Sequence, residues 1–134
     1  MLPLKNKESL FFDKAIIVSS QYQDLIKKAY SAFNARDINA VLSVMHRDVH
    51  WPNGWEGGYV NGHDEVRAYW TRQWKELDPS VEPVGVTDRK DGLVEVNVHQ
   101  VAKDLQGNVL FDGLVKHIYT IENGLITRME IEEP

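Results

Sequence analysis

Apolar residues recur at helical spacing in three stretches of the first half of the chain. Between Tyr22 and Phe33 they return every three or four positions, which predicts an amphipathic helix that must bury one face. A shorter apolar face follows Asp37, a residue well suited to cap a helix. A third amphipathic helix is predicted over residues 63–77, with acidic residues in its first turn, where the helix dipole favours them.

Beyond Pro79 the apolar pattern changes from helical spacing to runs typical of strands. Short separators that contain glycine join these runs, so neighbouring strands are expected to pair as antiparallel hairpins. A brief earlier strand is predicted over residues 48–51. Helices followed by a strand meander predict an α+β domain, with the helices packed on one face of a curved antiparallel sheet. The four later predicted strands span residues 81–88, 93–103, 109–121 and 125–132.

Composition narrows the class of protein. The chain has 134 residues, 43% of them hydrophobic and 26% charged, as expected of one globular domain. It contains no cysteine, which excludes a disulfide framework and a thiol nucleophile. The formal net charge of −5 has the wrong sign for a nucleic-acid partner. No apolar run approaches the length of a membrane span, so no membrane partner is expected.

The first 19 residues are set apart from the domain pattern. Their apolar stretches are divided by Asp13 and Lys14, and the sequence that follows does not match a signal-peptide cleavage site. We therefore expect an N-terminal extension over residues 1–19, a domain over residues 20–134, and a cytoplasmic location.

This succession of elements resembles the nuclear transport factor 2-like superfamily, in its SnoaL-like and ketosteroid isomerase-like branch. The resemblance implies a cystatin-like cone in which helices and sheet enclose a pocket for a small organic molecule, without a cofactor. It also implies a homodimer formed through the outer face of the sheet. Because this scaffold hosts many chemistries, it implies no single activity. The similar segments are residues 29–38, 51–53, 62–70 and 117–126.

The mechanism of the ketosteroid isomerases themselves is not predicted. Those enzymes use a carboxylate base, and a tyrosine and a protonated acid to hold the enolate. In an ungapped comparison the base position falls on Asn53, the tyrosine position on Ala29 and the acid position on Lys116. An amide cannot take up a proton at neutral pH, so this chain would need other groups for proton transfer.

The same comparison implies a cavity with aromatic walls and several polar groups. We hypothesise that His99 is a general base or acid, while Lys116 and Asn53 polarise a carbonyl or phenol-type oxygen of the ligand. The side chains that the comparison brings to the cavity are Trp51, Asn53, Trp70, Asn97, His99, Lys116 and Met129.

The facing of these strand residues stays open at the level of sequence. Plain alternation over residues 93–101 would bury the valines and expose His99, whereas the family comparison implies the opposite. One bulge would exchange the two arrangements. Lys116 and His117 must face opposite sides of a regular strand, and whichever points inward is the better candidate for the site.

An aromatic cluster lies beside the predicted cavity. Most of the rings in residues 51–74 are expected to serve packing. Trp55 and Tyr59 exceed what a core needs and are flanked by glycines, so we predict that they form a lid over the pocket mouth.

The histidines do not predict a metal site. His46 and His50 are four residues apart, a spacing that binds zinc when both lie on one helix. Here they are predicted to lie on different elements, with His63 on a third.

The resemblance implies a small-molecule-binding domain, and two functions stay open. The first is a cofactor-independent enzyme that catalyses proton transfer of an isomerase, cyclase, dehydratase or hydrolase type. The alternative is a non-catalytic ligand-binding or dimerisation module.

Overall fold

A computed structural model describes residues 17–132 of the protein. Its three helices are α1 (Gln23–Asn34), α2 (Ile38–Leu42) and α3 (Gly62–Gln73). The strands of the described range are β1 (Ile17–Ser19), β2 (Met45–Pro52), β3 (Tyr59–Asn61), β4 (Leu77–Asp88), β5 (Val94–Asp104), β6 (Val109–Glu122) and β7 (Leu125–Glu132).

The strands form one sheet in the order β1-β4-β5-β6-β7-β2-β3. The four long strands β4 to β7 pair as successive antiparallel hairpins, as the glycine-bearing separators predicted. Two pairings differ from the predicted antiparallel sheet, because β1 runs parallel to β4 and β2 runs parallel to β7. The long connection between β2 and β7 contains α3 and the first three long strands, which allows the two to run the same way.

The core lies between the helices and one face of this sheet. From α1 it takes Ile26 and Tyr30, and from α3 it takes Val66 and Trp70, so the apolar stripes of both helices are buried as predicted. From the sheet it takes inward-facing residues of several strands, among them Val94, Val96, Val98, Ile126 and Met129.

The end of α1 is bonded to the edge of β4. Asn34 donates from Nδ2 to the carbonyl of Val81 and accepts from its amide, at 2.7 and 2.9 Å. Arg36 adopts a left-handed φ of 62° and reaches Asp78, at 2.6 Å. Asp37 then caps α2 by accepting from the amide of Ala40, as its position predicted. These contacts hold α1 over the sheet.

The start of the described range belongs to the sheet. The predicted N-terminal extension covers residues 1–19, but its last three residues form β1. They pair with Gly85–Thr87 of β4. The rest of that extension lies outside the described residues. Within residues 17–132, no helix is long and apolar enough to cross a membrane.

Candidate functional site

A cavity of about 420 Å³ lies between the helices and the sheet. This volume is within the range of small-molecule sites, about 300–1,000 Å³. Its walls are mostly aliphatic and aromatic, and no Asp, Glu, Lys or Arg of the described residues lines it. The polar side chains in the lining, apart from tryptophan, are Tyr30, Tyr69, Gln73, Gln100, His117 and Tyr119.

Three of these polar side chains form a hydrogen-bonded group, which we call the relay: Tyr30, His117 and Tyr119. The hydroxyl of Tyr30 lies 2.7 Å from Nδ1 of His117 and 2.7 Å from the hydroxyl of Tyr119. Tyr30 comes from the buried stripe of α1. His117 and Tyr119 are two residues apart on β6, so both point to the same face of the sheet.

Burial keeps the whole relay neutral. It lowers the pKa of His117 from 6.5 to about 4, because the imidazolium would lose its hydration. It also raises the pKa of Tyr30 and of Tyr119 well above the ordinary value of a tyrosine. At neutral pH the group is therefore an uncharged imidazole bonded to the phenol of Tyr30, which is bonded in turn to the phenol of Tyr119.

The relay can carry its protons in two arrangements. In one, Tyr119 donates to Tyr30, Tyr30 donates to Nδ1 of His117, and Nε2 carries the other ring proton. In the other, Nδ1 donates to Tyr30, Tyr30 donates to Tyr119, and Nε2 is a bare acceptor. Nε2 makes no hydrogen bond with a described residue, and it is not fully buried. Because His117 lines the cavity, Nε2 is open to it.

Aromatic rings form the walls around the relay. Trp51 packs edge-on against Trp70 at 5.8 Å between centroids and leans on Tyr119 at 6.2 Å. Trp51, Trp70 and Met129 line the cavity, as the family comparison implied, and of Lys116 and His117 it is His117 that points inward. These surfaces suit a flat, apolar ligand body.

Three predicted site residues lie on the outer face of the sheet instead. Nε2 of His99 lies 2.7 Å from Oδ1 of Asp112, and Lys116 faces Glu95 at 3.8 Å. Asn97 pairs with Lys116 and shares that face. The physical reason is the strand register. Side chains of β5 alternate between the two faces without a bulge from Val94 to Ala102, so the valines point inward and Asn97 and His99 point outward. The prediction that His99, Lys116 and Asn97 line the cavity is wrong.

Asn53 is buried, but it organises a loop rather than lining the cavity. Its Oδ1 accepts from the amides of Trp55 and Glu56, and its Nδ2 donates to Oε1 of Glu56 at 2.9 Å. With these bonds made, the amide has a structural role at the turn. The role predicted for Asn53, polarising a ligand oxygen, does not fit this position.

The two predicted lid aromatics separate in the structure. Trp55, on the loop that Asn53 organises, lines the cavity. Tyr59 lies outside it, stacked on His50 at 4.3 Å and donating to Glu130 at 2.6 Å. Tyr59 is therefore not a ligand-binding residue of this cavity, whereas Trp55 stays a candidate.

An ion pair ties the loop to α3. Glu56 accepts from Arg72 at 2.8 and 3.3 Å, and the hydrogen bonds from Arg72 and Asn53 hold the pKa of Glu56 below its ordinary value. Both partners are partly exposed, so solvent screens the pair and its contribution to the stability of the fold is small. The pair connects the loop that carries Trp55 to α3.

We expect Arg72→Met to loosen this loop without unfolding the domain. Amide hydrogen exchange over residues 53–58 should become about two- to fivefold faster, as the loss of a partly exposed ion pair implies. Arg67→Met is the matched control, because Arg67 lies on the same helix and bonds to Asn39 instead. Unchanged exchange in Arg72→Met would show that the pair does not hold the loop.

Sequence reasoning missed two members of the relay. Tyr30 was assigned to the core stripe of α1, and Tyr119 was noted only as part of the last hairpin. The sequence did contain a signal for Tyr119. It lies two residues after His117 on the same predicted strand, so the two side chains must point to the same face of the sheet.

The structure places the three histidines considered for metal binding apart. His63 bonds through Nε2 to the carbonyl of Met45, and the ring of His46 accepts from the amide of Asp48. Within residues 17–132, no three His, Asp or Glu side chains converge on a point that could hold a metal ion.

Comparison with known proteins identifies the family. Residues 26–129 match the SnoaL-like domain. Among curated proteins, none matches the chain significantly by sequence.

Solved structures share the fold over most of the chain. An NTF2-like protein of unknown function from Burkholderia pseudomallei K96243 is 22% identical, with a TM-score of 0.73, over 86% of this chain and 92% of that one. TerC, crystallised with polyporic acid, is 28% identical, with a TM-score of 0.73, over 86% and 92%. A candidate polyketide cyclase from Sinorhizobium meliloti is 20% identical, with a TM-score of 0.69, over 81% and 94%.

These likenesses confirm the predicted α+β class and the cystatin-like arrangement of helices on a curved sheet. The family match covers most of the described range and includes most of α1, all of β6 and most of β7. The chain belongs to the SnoaL-like domain family of the nuclear transport factor 2-like superfamily.

Proposed function

We propose that this protein binds a small, uncharged organic molecule in the cavity and catalyses a proton shift next to a carbonyl or phenol-type oxygen, without a cofactor. The observation that carries the proposal is the relay: a neutral imidazole joined through the hydroxyl of Tyr30 to that of Tyr119, with its second ring nitrogen open to the cavity. The cavity supplies the place for a substrate, and the relay supplies both a proton acceptor and a proton donor.

The lining supports an uncharged, aromatic or conjugated substrate. No cation of the described residues lines the cavity to balance a carboxylate or a phosphate, and burying an unpaired charge is costly. Rings such as Trp51 and Trp70 offer flat apolar contact. A small organic ligand also accords with TerC, the 28% identical protein co-crystallised with polyporic acid.

The proposed step conserves protons within the relay. Nε2 of His117 takes the proton from the carbon beside the carbonyl, and the C–H electron pair moves toward the oxygen to form an enol. The proton on Nδ1 passes to Tyr30, and the hydroxyl proton of Tyr30 passes to Tyr119. Tyr119 gives its own proton to the substrate oxygen, so no ion accumulates in a site that would solvate it poorly. The step begins with Nε2 bare and ends with Nε2 protonated, and the reverse transfer restores the bare Nε2.

Deuterium exchange tests this function without knowledge of the natural substrate. Acetophenone in deuterium oxide exchanges its methyl protons through its enol, and proton NMR follows the loss of the methyl signal. We expect the protein to accelerate this exchange above the buffer rate. Binding to the cavity with no acceleration for any neutral ketone would contradict the proposal and favour a non-catalytic ligand-binding module.

We also propose that the protein forms a homodimer through the outer face of β5 and β6. Leu114 is 54% exposed there, beside the hydrogen-bonded pair His99–Asp112 and the ion pair Lys116–Glu95. Such a face suits contact with a second copy, which would bury on the order of 1,200–2,000 Å² in a stable dimer.

We expect sedimentation velocity to give a dimer at micromolar concentration. Leu114→Glu should shift the protein to a monomer, because a second copy would bury the new carboxylate without a partner. Leu105→Glu is the control, since Leu105 is equally exposed but lies in the turn beyond β5. A monomeric wild type would contradict the dimer.

A further inference from the structure

Two large apolar side chains that line the cavity are left partly open to solvent. Phe111 is 44% exposed and Ile131 is 42% exposed, although other lining aromatics such as Tyr30 and Trp70 are buried. Both side chains line the cavity and are also in contact with solvent. An exposed apolar surface that continues into a cavity is typical of a surface that a ligand covers.

The ring of Phe111 is placed at the opening by a glycine. A Cβ atom at Gly113 would lie 3.1 Å from Cζ of Phe111, closer than ordinary contact, so the ring lies back over the Gly113 backbone. Gly113 does not adopt a left-handed φ, so its backbone conformation does not require glycine. Its missing side chain instead makes room for the ring.

The exposed ring of Phe111 lies well away from the relay along the same strand, whereas Ile131 pairs with His117 and lies beside the relay. Phe111 and His117 share the inward face of β6 and are six residues apart, which corresponds to about 20 Å at roughly 3.3 Å per residue. Val115 lines the cavity between them, and Gln100 and Ala102 line it on β5. The cavity therefore runs from the relay to Phe111, and the wall that these strands form near Phe111 is apolar except for Gln100, which pairs with Gly113.

We infer that the cavity takes an elongated ligand, with its carbonyl or hydroxyl end at His117 and an uncharged apolar tail that reaches Phe111. Phe111 and Gly113 are then specificity-determining residues for the length of that tail. This inference rests on the proposed function only for the position of the polar end. It assigns the tail from the exposed apolar lining.

A series of para-alkyl acetophenones tests the inference, because the carbonyl end stays constant while the tail grows from methyl to hexyl. Quenching of tryptophan fluorescence reports the dissociation constant. We expect affinity to rise about two- to fourfold for each methylene that the protein covers. Phe111→Ser should remove most of this gain for the hexyl compound and leave the affinity for acetophenone within about twofold.

Two further variants show whether the effect on long ligands belongs to the ring of Phe111 or to the loss of any exposed apolar side chain. Gly113→Ala should displace the ring and weaken binding of the long compounds while sparing acetophenone. Leu105→Ser is the matched control, because Leu105 is 56% exposed, lies in the turn after β5 and does not line the cavity. It should bind the whole series as the wild type does.

The opposite results are equally definite. Affinity that does not rise with tail length, or a loss in Phe111→Ser that is equal for short and long compounds, would overturn the inference. Failure of the whole series to bind would also overturn it. Length-dependent binding without catalysed deuterium exchange would support the elongated ligand and contradict the proposed proton transfer, so the two failures are distinguishable.

Discussion

Lowering the pH from 7 to 4 is expected to reduce the free energy of unfolding by about 3 kcal/mol through His117 alone. Its pKa is 6.5 when unperturbed and about 4 in the fold, because burial disfavours the imidazolium. Between these values the unfolded chain binds a proton that the folded chain does not. Stability from this group is therefore complete above pH 6.5 and is lost as the pH falls toward 4, at about 1.4 kcal/mol per pH unit.

Urea unfolding of the wild type and of His117→Gln, at pH 7 and at pH 4, isolates this contribution. Carboxylates titrate in both proteins and cancel in the comparison. The glutamine variant should be less stable than the wild type at pH 7, and its loss of stability on acidification should be smaller by about 3 kcal/mol. An equal loss in both proteins would show that His117 is not buried as an uncharged group.

The second large effect concerns catalysis of deuterium exchange. His117→Gln should lower the rate for acetophenone by at least about a hundredfold, since it removes the proton acceptor. Tyr30→Phe should also lower kcat strongly with little change in KM, because the imidazole and Tyr119 then lose the hydroxyl that joins them. The substrate end of the relay, Nε2, would remain in place.

Tyr69→Phe is the matched control for Tyr30→Phe. Tyr69 lines the same cavity and is also buried, but its hydroxyl bonds to Gln73 at 3.4 Å rather than to the relay. It should keep exchange within a few-fold of the wild type. Wild-type kcat in Tyr30→Phe would show that protons do not pass through Tyr30, and equal losses in both variants would assign the effect to the cavity in general.

Much of the fold could be predicted from local pattern. Helical periodicity identified the buried faces of α1 and α3, because an apolar stripe such as Ile26 and Tyr30 is stable only when it packs against the core. Glycine-bearing separators identified the hairpins from β4 to β7. The parallel pairings of β1 and β2 could not be predicted, because they join segments far apart in the chain, such as Ile17 and Gly85, with no turn to signal them.

The site was less accessible to such reasoning for two physical reasons. A shift of one residue in strand register moves every side chain to the opposite face of the sheet. The comparison with the family placed His99 inward, whereas plain alternation placed it outward. The relay joins Tyr30 to residues 87 and 89 positions later, a contact that no local spacing encodes. His117 was predicted to bind a ligand, but its tyrosine partners were missed.

The most direct measurement of the relay is a titration of the imidazole nitrogens of His117 by 15N NMR, compared between the wild type and Tyr30→Phe. We expect a neutral ring at pH 7 that titrates with a pKa of about 4. We also expect a change in the Nδ1 shift when the Tyr30 hydroxyl is removed. A ring that titrates near 6.5, with an Nδ1 shift indifferent to Tyr30, would contradict a buried, neutral relay.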